Sequence, residues 1–169
     1  MNSSAHLCEI SLTVNGKRRT VRAHPMERLL DILRLQLGLT GAKEGCGEGE
    51  CGSCSVLMNG EAVTTCLIPV LHADGATIVT IEGLASDSQL HPLQRAFLEC
   101  GGAQCGICTP GLIMAAANLL QRSSCPSSED IKEALAGNLC RCTGYAQICE
   151  AVAQAAAGSH ENPTHEKAG

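Results

Sequence analysis

Eight of the twelve cysteines in this 169-residue chain fall into two groups of four. The first is Cys46, Cys51, Cys54 and Cys66, spaced C-x4-C-x2-C-x11-C, and the second is Cys105, Cys108, Cys140 and Cys142, spaced C-x2-C-x31-C-x-C. Thiolates are soft anionic ligands, so four of them can close on zinc or on a small iron–sulfur cluster. A lone C-x2-C pair can instead cycle between dithiol and disulfide. An even cysteine count would also permit a disulfide framework, but residues 1–9 carry neither the basic nor the apolar part of a secretory leader. That predicts a cytoplasmic protein whose thiols stay reduced.

In the first set, three ligands share residues 46–54, inside the loop 45–54 (GCGEGECGSC). Its C-x4-C-x2-C opening is the spacing by which plant-type ferredoxins hold a [2Fe–2S] cluster. Glycines let the chain curl tightly and bring N–H groups near sulfur, where hydrogen bonds help set a reduction potential. Glu48 and Glu50 would lower that potential if they lie close. Zinc sites usually join two short-spaced pairs, which this loop does not resemble. The second set says less by itself. Cys105 and Cys108 with Cys140 and Cys142 could hold zinc or a cluster, and Cys105–Cys108 could be a redox pair. The redox option lacks the strand that should precede its helix, and Thr109, Pro110 and Gly111 give a tight lead-in turn instead. On spacing alone, zinc and cluster both stay open.

The elements that must position these sets change character near residues 85–92. Before that point Ile10, Leu12 and Val14 alternate with polar residues, and Asn15-Gly16 predicts a hairpin into residues 20–23. A helix opened by Pro25 follows, with Leu29, Leu30, Ile32, Leu33 and Leu37 on its apolar face and Gly38 and Gly41 as stops. Residues 55–58 and 62–65 make a second hairpin turned by Asn59-Gly60, and 77–81 a further strand. From His91 the period is helical: 92–99, a strongly apolar 112–120, a helix through Leu135 opened by Ser127 to Asp130 and closed by Gly137, and 146–157. The expected fold is therefore α+β, a small sheet domain over 1–86 and an all-α four-helix bundle over 87–157, then a disordered tail over 158–169. Phe97 and Tyr145 are the only aromatic residues. The core must then come from aliphatic residues and whatever the cysteines bind. A formal charge of −5 without a basic block argues against nucleic acid, and no run reaches the roughly 18 apolar residues of a membrane span. Arg18-Arg19 reads as a solvated strand face.

Residues 104–111 (QCGICTPG) and 138–145 (NLCRCTGY), behind the loop 45–54, resemble the small iron–sulfur subunit of the molybdenum hydroxylases, the xanthine dehydrogenase and aldehyde oxidoreductase family, which also includes carbon monoxide dehydrogenase. The resemblance spans residues 8 to 157. It implies an N-terminal β-grasp, plant-type ferredoxin-like domain with one [2Fe–2S] cluster and a C-terminal helical domain with another. It also implies a relay within a separate-chain complex: electrons leave a molybdopterin site on a large subunit, pass the helical-domain cluster and then the ferredoxin-like one, and go on to FAD on a medium subunit. By the same resemblance Gln104 and Cys142 lie against the pterin. The competing classes are a free-standing two-cluster ferredoxin and a zinc-stabilised interaction module. Cys8, Cys100, Cys125 and Cys149 read as small buried thiols, with Cys100 close enough to Cys105 to be weighed as a substitute ligand. His24, His72 and His91 read as surface or packing residues.

Overall fold

A computed structural model of the chain describes residues 6–86 and 89–158. Strand β1 (Cys8–Val14) buries Ile10, Leu12 and Val14 on one face and leaves the other toward water. It turns through Asn15 and Gly16, at φ 50° and 73°, into β2 (Lys17–Ala23), with Val14 opposite Lys17. Two central residues at positive φ give a two-residue loop whose twist matches paired strands. Asn59 and Gly60, at φ 53° and 89°, do the same between β3 (Ser55–Met58) and β4 (Glu61–Thr64). Strand β5 (Thr77–Val79) fills the gap between the hairpins, parallel to β1 and antiparallel to β3, so the sheet order is β2-β1-β5-β3-β4. Arg18 and Arg19 lie exposed on β2.

The crossing helix starts later than its sequence suggests. Pro25 does not open it, because the stretch 25–28 is pinned against 68–71 instead. Leu29 N–H donates to Ile68 O (2.8 Å), Val70 N–H to Glu27 O (2.8 Å) and Leu71 N–H to Pro25 O (3.2 Å). The helix is α1 (Leu29–Asp31), continued by a π-helical turn (Ile32–Gln36) that Leu37 N–H closes on Ile32 O at 3.0 Å. Leu29, Leu30, Ile32 and Leu33 are fully buried against the sheet. Gly38, at φ 70°, ends the helix as expected. Gly41 serves packing: a Cβ there would run into Ile81, and its N–H donates to Glu82 Oε1 (2.7 Å). Strand β5 also stops at Val79 rather than Ile81. The Asn15 side chain takes Thr80 out of the sheet by accepting its N–H (2.9 Å) and donating to its hydroxyl (3.0 Å).

Four helices follow: α2 (Pro92–Glu99), α3 (Thr109–Arg122), α4 (Ser128–Leu135) and α5 (Ala146–Gly158). Ser127 and Asp130 form the capping box that starts α4. His91 caps α2 through Nδ1, which accepts Leu93 N–H at 3.2 Å, a role its lone position in the sequence does not announce. Thr109, Pro110 and Gly111 are the first turn of α3 rather than a lead-in, since a proline costs no hydrogen bond where helix amides are unpaired anyway. Residues 111–119 are all buried, for α3 packs against β3 and β4 on one side and α2 and α4 on the other. Its neighbours in a second core include Leu93, Phe97, Ile131, Leu135, Ile148 and Val152. The expected tail lies outside the described residues apart from Gly158, which closes α5. No helix among the described residues is long and apolar enough to cross a membrane.

Candidate metal centres

The x11 gap of the first set is one hairpin. Cys54 precedes β3 and Cys66 follows β4 in a short 3-10 turn (Thr65–Leu67), so the strands return Cys66 beside Cys54. Thr65 fastens that return, its hydroxyl donating to Cys54 O at 2.8 Å. Cys46 and Cys51 come from the glycine-rich loop, whose start is tied to α1 by Arg28, paired with Asp31 and Glu44 at 2.7 Å each. The sequence gives no hint of that anchor. The thiols associate as Cys46 with Cys51 and Cys54 with Cys66. The exposed Cys46 is pulled down to about 7, first by the Glu48 N–H (3.3 Å from its Sγ), then by the N–H and thiol of Cys51. Burial, then Cys54, pushes Cys66 up to about 11. A thiolate held by backbone N–H groups is a ready ligand.

The second set is split between two loops. Cys105 and Cys108 lead into α3, with Cys108 at its N-cap, and Cys140 and Cys142 lie between α4 and α5. Cys142 Sγ is 3.6 Å from Cys105 Sγ, and Cys108 pairs with Cys140. Burial, then Cys140, pushes Cys108 up to about 12. Burial also opposes ionisation of Cys140, but hydrogen bonds from the Thr143 hydroxyl and from backbone N–H groups outweigh it and bring Cys140 down to about 7. Gln104, Cys105 and Cys142 are exposed together, beside the exposed apolar Ile107 and Leu139. Cys100 is not part of the group: it sits at the C-cap of α2, its thiol donating to Gln154 Oε1 at 2.9 Å. Cys8 and Cys149 are half-buried, as small packing thiols should be, whereas Cys125 is exposed in the loop before α4.

The two sets meet through backbone. Leu139 N–H donates to Cys51 O (3.0 Å), and the buried Asn138 donates its side-chain amide to Gly52 O (2.9 Å). Gly52 is at φ 67°, and a Cβ there would strike Asn138 Nδ2 and Gly137 O. Gly111, at the start of α3, is needed for the same reason: its Cβ would overlap the Gly52 carbonyl.

The second set suits a metal–sulfur group. Two sulfurs bound at about 2.3 Å to one tetrahedral metal stand about 3.8 Å apart, close to the 3.6 Å between Cys105 and Cys142. Thr109 Oγ1, next to Cys108, is the buried side-chain oxygen without a partner among the described residues, and a sulfur acceptor would satisfy it. Known families agree. Residues 12–85 match the "2Fe-2S iron-sulfur cluster binding domain" and residues 80–153 the "[2Fe-2S] binding domain". The nicotinate dehydrogenase small FeS subunit of Eubacterium barkeri is 52% identical over 143 residues, 85% of this chain and 91% of that one. This chain belongs to the iron–sulfur subunits of the molybdenum hydroxylases. Another such subunit, the nicotine 6-hydroxylase small subunit of Paenarthrobacter nicotinovorans, is 50% identical over 87% of this chain and 88% of its own length. The crystal structure of quinoline 2-oxidoreductase from Pseudomonas putida 86 superposes with a TM-score of 0.89 at 39% identity, covering 95% of this subunit and all of that chain. The iron–sulfur subunit thus has the expected ferredoxin-like domain followed by a helical one, two [2Fe–2S]-type domains, and an electron-transfer role within an oxidoreductase.

Proposed function

We propose that this subunit relays electrons from a molybdopterin site on a large partner subunit toward FAD on a medium one. Cys105, Cys108, Cys140 and Cys142 would hold the cluster nearer molybdenum, and Cys46, Cys51, Cys54 and Cys66 the one nearer flavin. A bound [2Fe–2S] cluster accepts and returns one electron at a time. The observation that carries the reading is the paired arrangement of the thiols and its bridge. Cys105 with Cys142, and Cys108 with Cys140, suit two ligands on each of two irons, and Leu139 N–H links this set to Cys51 of the other. Domain limits of 1–86 and 87–157 go with the two separate cores.

Gln104 and Cys142 are proposed to face the pterin. Their exposure, together with that of Ile107 (48%) and Leu139 (57%), supports a partner covering this end. A cytoplasmic setting fits thiolates that must stay reduced. The relatives named above carry the names of N-heterocyclic compounds, which supports an N-heterocycle as the substrate of the parent complex. Purification of the tagged subunit from its native host tests the proposal. Two larger chains, molybdenum and flavin should accompany it, with about four irons and four acid-labile sulfides per subunit. A colourless, iron-free subunit, or one that purifies alone, would refute it.

A further inference from the structure

The segment 138–145 is closed on itself. Tyr145 OH accepts Cys140 N–H (2.8 Å) and donates to Asn138 O (3.0 Å), so the ring spans the loop carrying Cys140 and Cys142. Gly144 and Tyr145 both lie at positive φ, 66° and 69°, which for tyrosine is an uncommon backbone state kept only where its surroundings enforce it. The turn they make directs Tyr145 N–H onto Thr143 Oγ1 (3.3 Å), and Thr143 Oγ1 stands 3.2 Å from Cys140 Sγ. With its oxygen occupied as an acceptor, the Thr143 hydroxyl is left to donate to the sulfur. In the first set Cys46 Sγ receives a backbone N–H from Glu48 at 3.3 Å, and the Ser53 hydroxyl is hydrogen-bonded to the Cys51 thiol at the longer distance of 3.6 Å.

We propose that Thr143 is a positioning residue that raises the reduction potential of the second cluster by donating its hydroxyl hydrogen to Cys140 Sγ, with Tyr145 N–H holding that hydroxyl in place. The inference rests on Cys140 being a ligand. Reduction places one further negative charge on the metal–sulfur group. A donor to its sulfur is therefore worth more in the reduced state than in the oxidised one. The electron comes from the reductant, and no proton moves, since the hydroxyl keeps its hydrogen. Backbone donors like those at Cys46 cannot be removed by substitution, but this one can.

The test is a potentiometric titration of the whole chain carrying both clusters, each followed by its electron paramagnetic resonance signal and assigned by which one Cys140→Ser abolishes. Thr143→Val should lower the one-electron equilibrium constant of that cluster by up to about tenfold, a shift of about 59 mV to lower potential. Thr143→Ser should keep the parent value, and the other cluster should not move in either variant. Loss of two irons in the valine variant while serine keeps four would show a role in holding the cluster rather than in setting its potential, and would overturn the proposal. The proposal is overturned if valine leaves the potential unchanged, if both clusters shift equally, or if serine behaves as valine. Retention of all four irons in Cys140→Ser would overturn the ligand assignment itself, a result distinguishable from these.

Discussion

The backbone N–H of Leu139 donates to the carbonyl of Cys51 across 3.0 Å, and these two residues belong to different cysteine loops. Leu139 precedes Cys140, so a continuous chain of bonds between the two sets runs from Cys51 through its own carbonyl, one hydrogen bond and Leu139 to Cys140. A relay benefits from a junction with few soft coordinates. Here neither partner of the bond is a side chain that could change rotamer, and the adjoining Asn138–Gly52 contact holds the two loops in register.

Asn138 therefore offers the first test. Its buried side-chain amide is one of three donors to Gly52 O, beside the Ser55 N–H (3.1 Å) and hydroxyl (2.8 Å), so Asn138→Ala removes the one of these bonds that joins the two loops and should cost about 0.5–1.5 kcal/mol. Denaturant unfolding of the chain carrying its clusters measures this. Gly111→Ala should be at least as damaging despite alanine's better helix propensity, because its Cβ meets backbone, the Gly52 carbonyl, and not a side chain that can swing away. A Gly111→Ala variant of parental stability would show that the helical part does not sit against the first loop in this way.

Ligand and bystander cysteines should separate cleanly by iron content. Cys140→Ser should reduce iron from about four to about two per chain, with one paramagnetic signal lost and the other retained. Cys100→Ala should keep all four, since that thiol is engaged with Gln154 on α5 and stands outside the second group. Iron loss in Cys100→Ala, matched by retention in Cys140→Ser, would exchange the two assignments.

Core packing supplies a third test. Phe97 is fully buried in the second core, and Phe97→Ala should destabilise the chain by about 3–5 kcal/mol. Spectroscopic melting should show it, with loss of the second cluster's signal preceding loss of the first. Simultaneous loss would mean that the two parts unfold as one unit.

Much of this architecture is legible in the chain because its signals are local. Asn15-Gly16 and Asn59-Gly60 encode their turns through two residues each, and Ser127 with Asp130 encodes the start of α4 within one turn. The eight cysteines announce themselves by spacing, and the x11 gap even matches a hairpin's length. What escaped the sequence depends on distant partners. Pro25 reads as a helix start until residues 68–71 take the backbone groups of 25–29, and Ile81 reads as strand until Asn15 captures Thr80. Thr143, Tyr145 and Asn138 lie inside a recognisable motif. Their work on Cys140 Sγ, Cys140 N–H and Gly52 O appears only once the loops are closed in space.

The thiol acidities predict the order in which the sets can be assembled. Each set has one cysteine held near neutrality, Cys46 and Cys140, both at about 7, and one pushed far up, Cys66 to about 11 and Cys108 to about 12. A lowered value means the thiolate grows in as pH rises through that value, so near pH 7 about half of the Cys46 and Cys140 population is anionic. Cys66 and Cys108 remain protonated thiols there. In the cluster-free chain, iodoacetamide should label Cys46 and Cys140 progressively between pH 6 and pH 8 while sparing Cys66 and Cys108, as read by peptide mass spectrometry. Because the thiolate is also the metal ligand, iron should be captured first at the lowered thiols, Cys46 in the first set and Cys140 in the second, where the Ile107 N–H and Cys142 lower Cys105 as well, and the buried thiols should release their protons only once metal is beside them. Prior labelling at pH 7 should then block reconstitution of both clusters. Equal labelling of all four cysteines at pH 7, or full cluster assembly after Cys46 and Cys140 are blocked, would contradict this order.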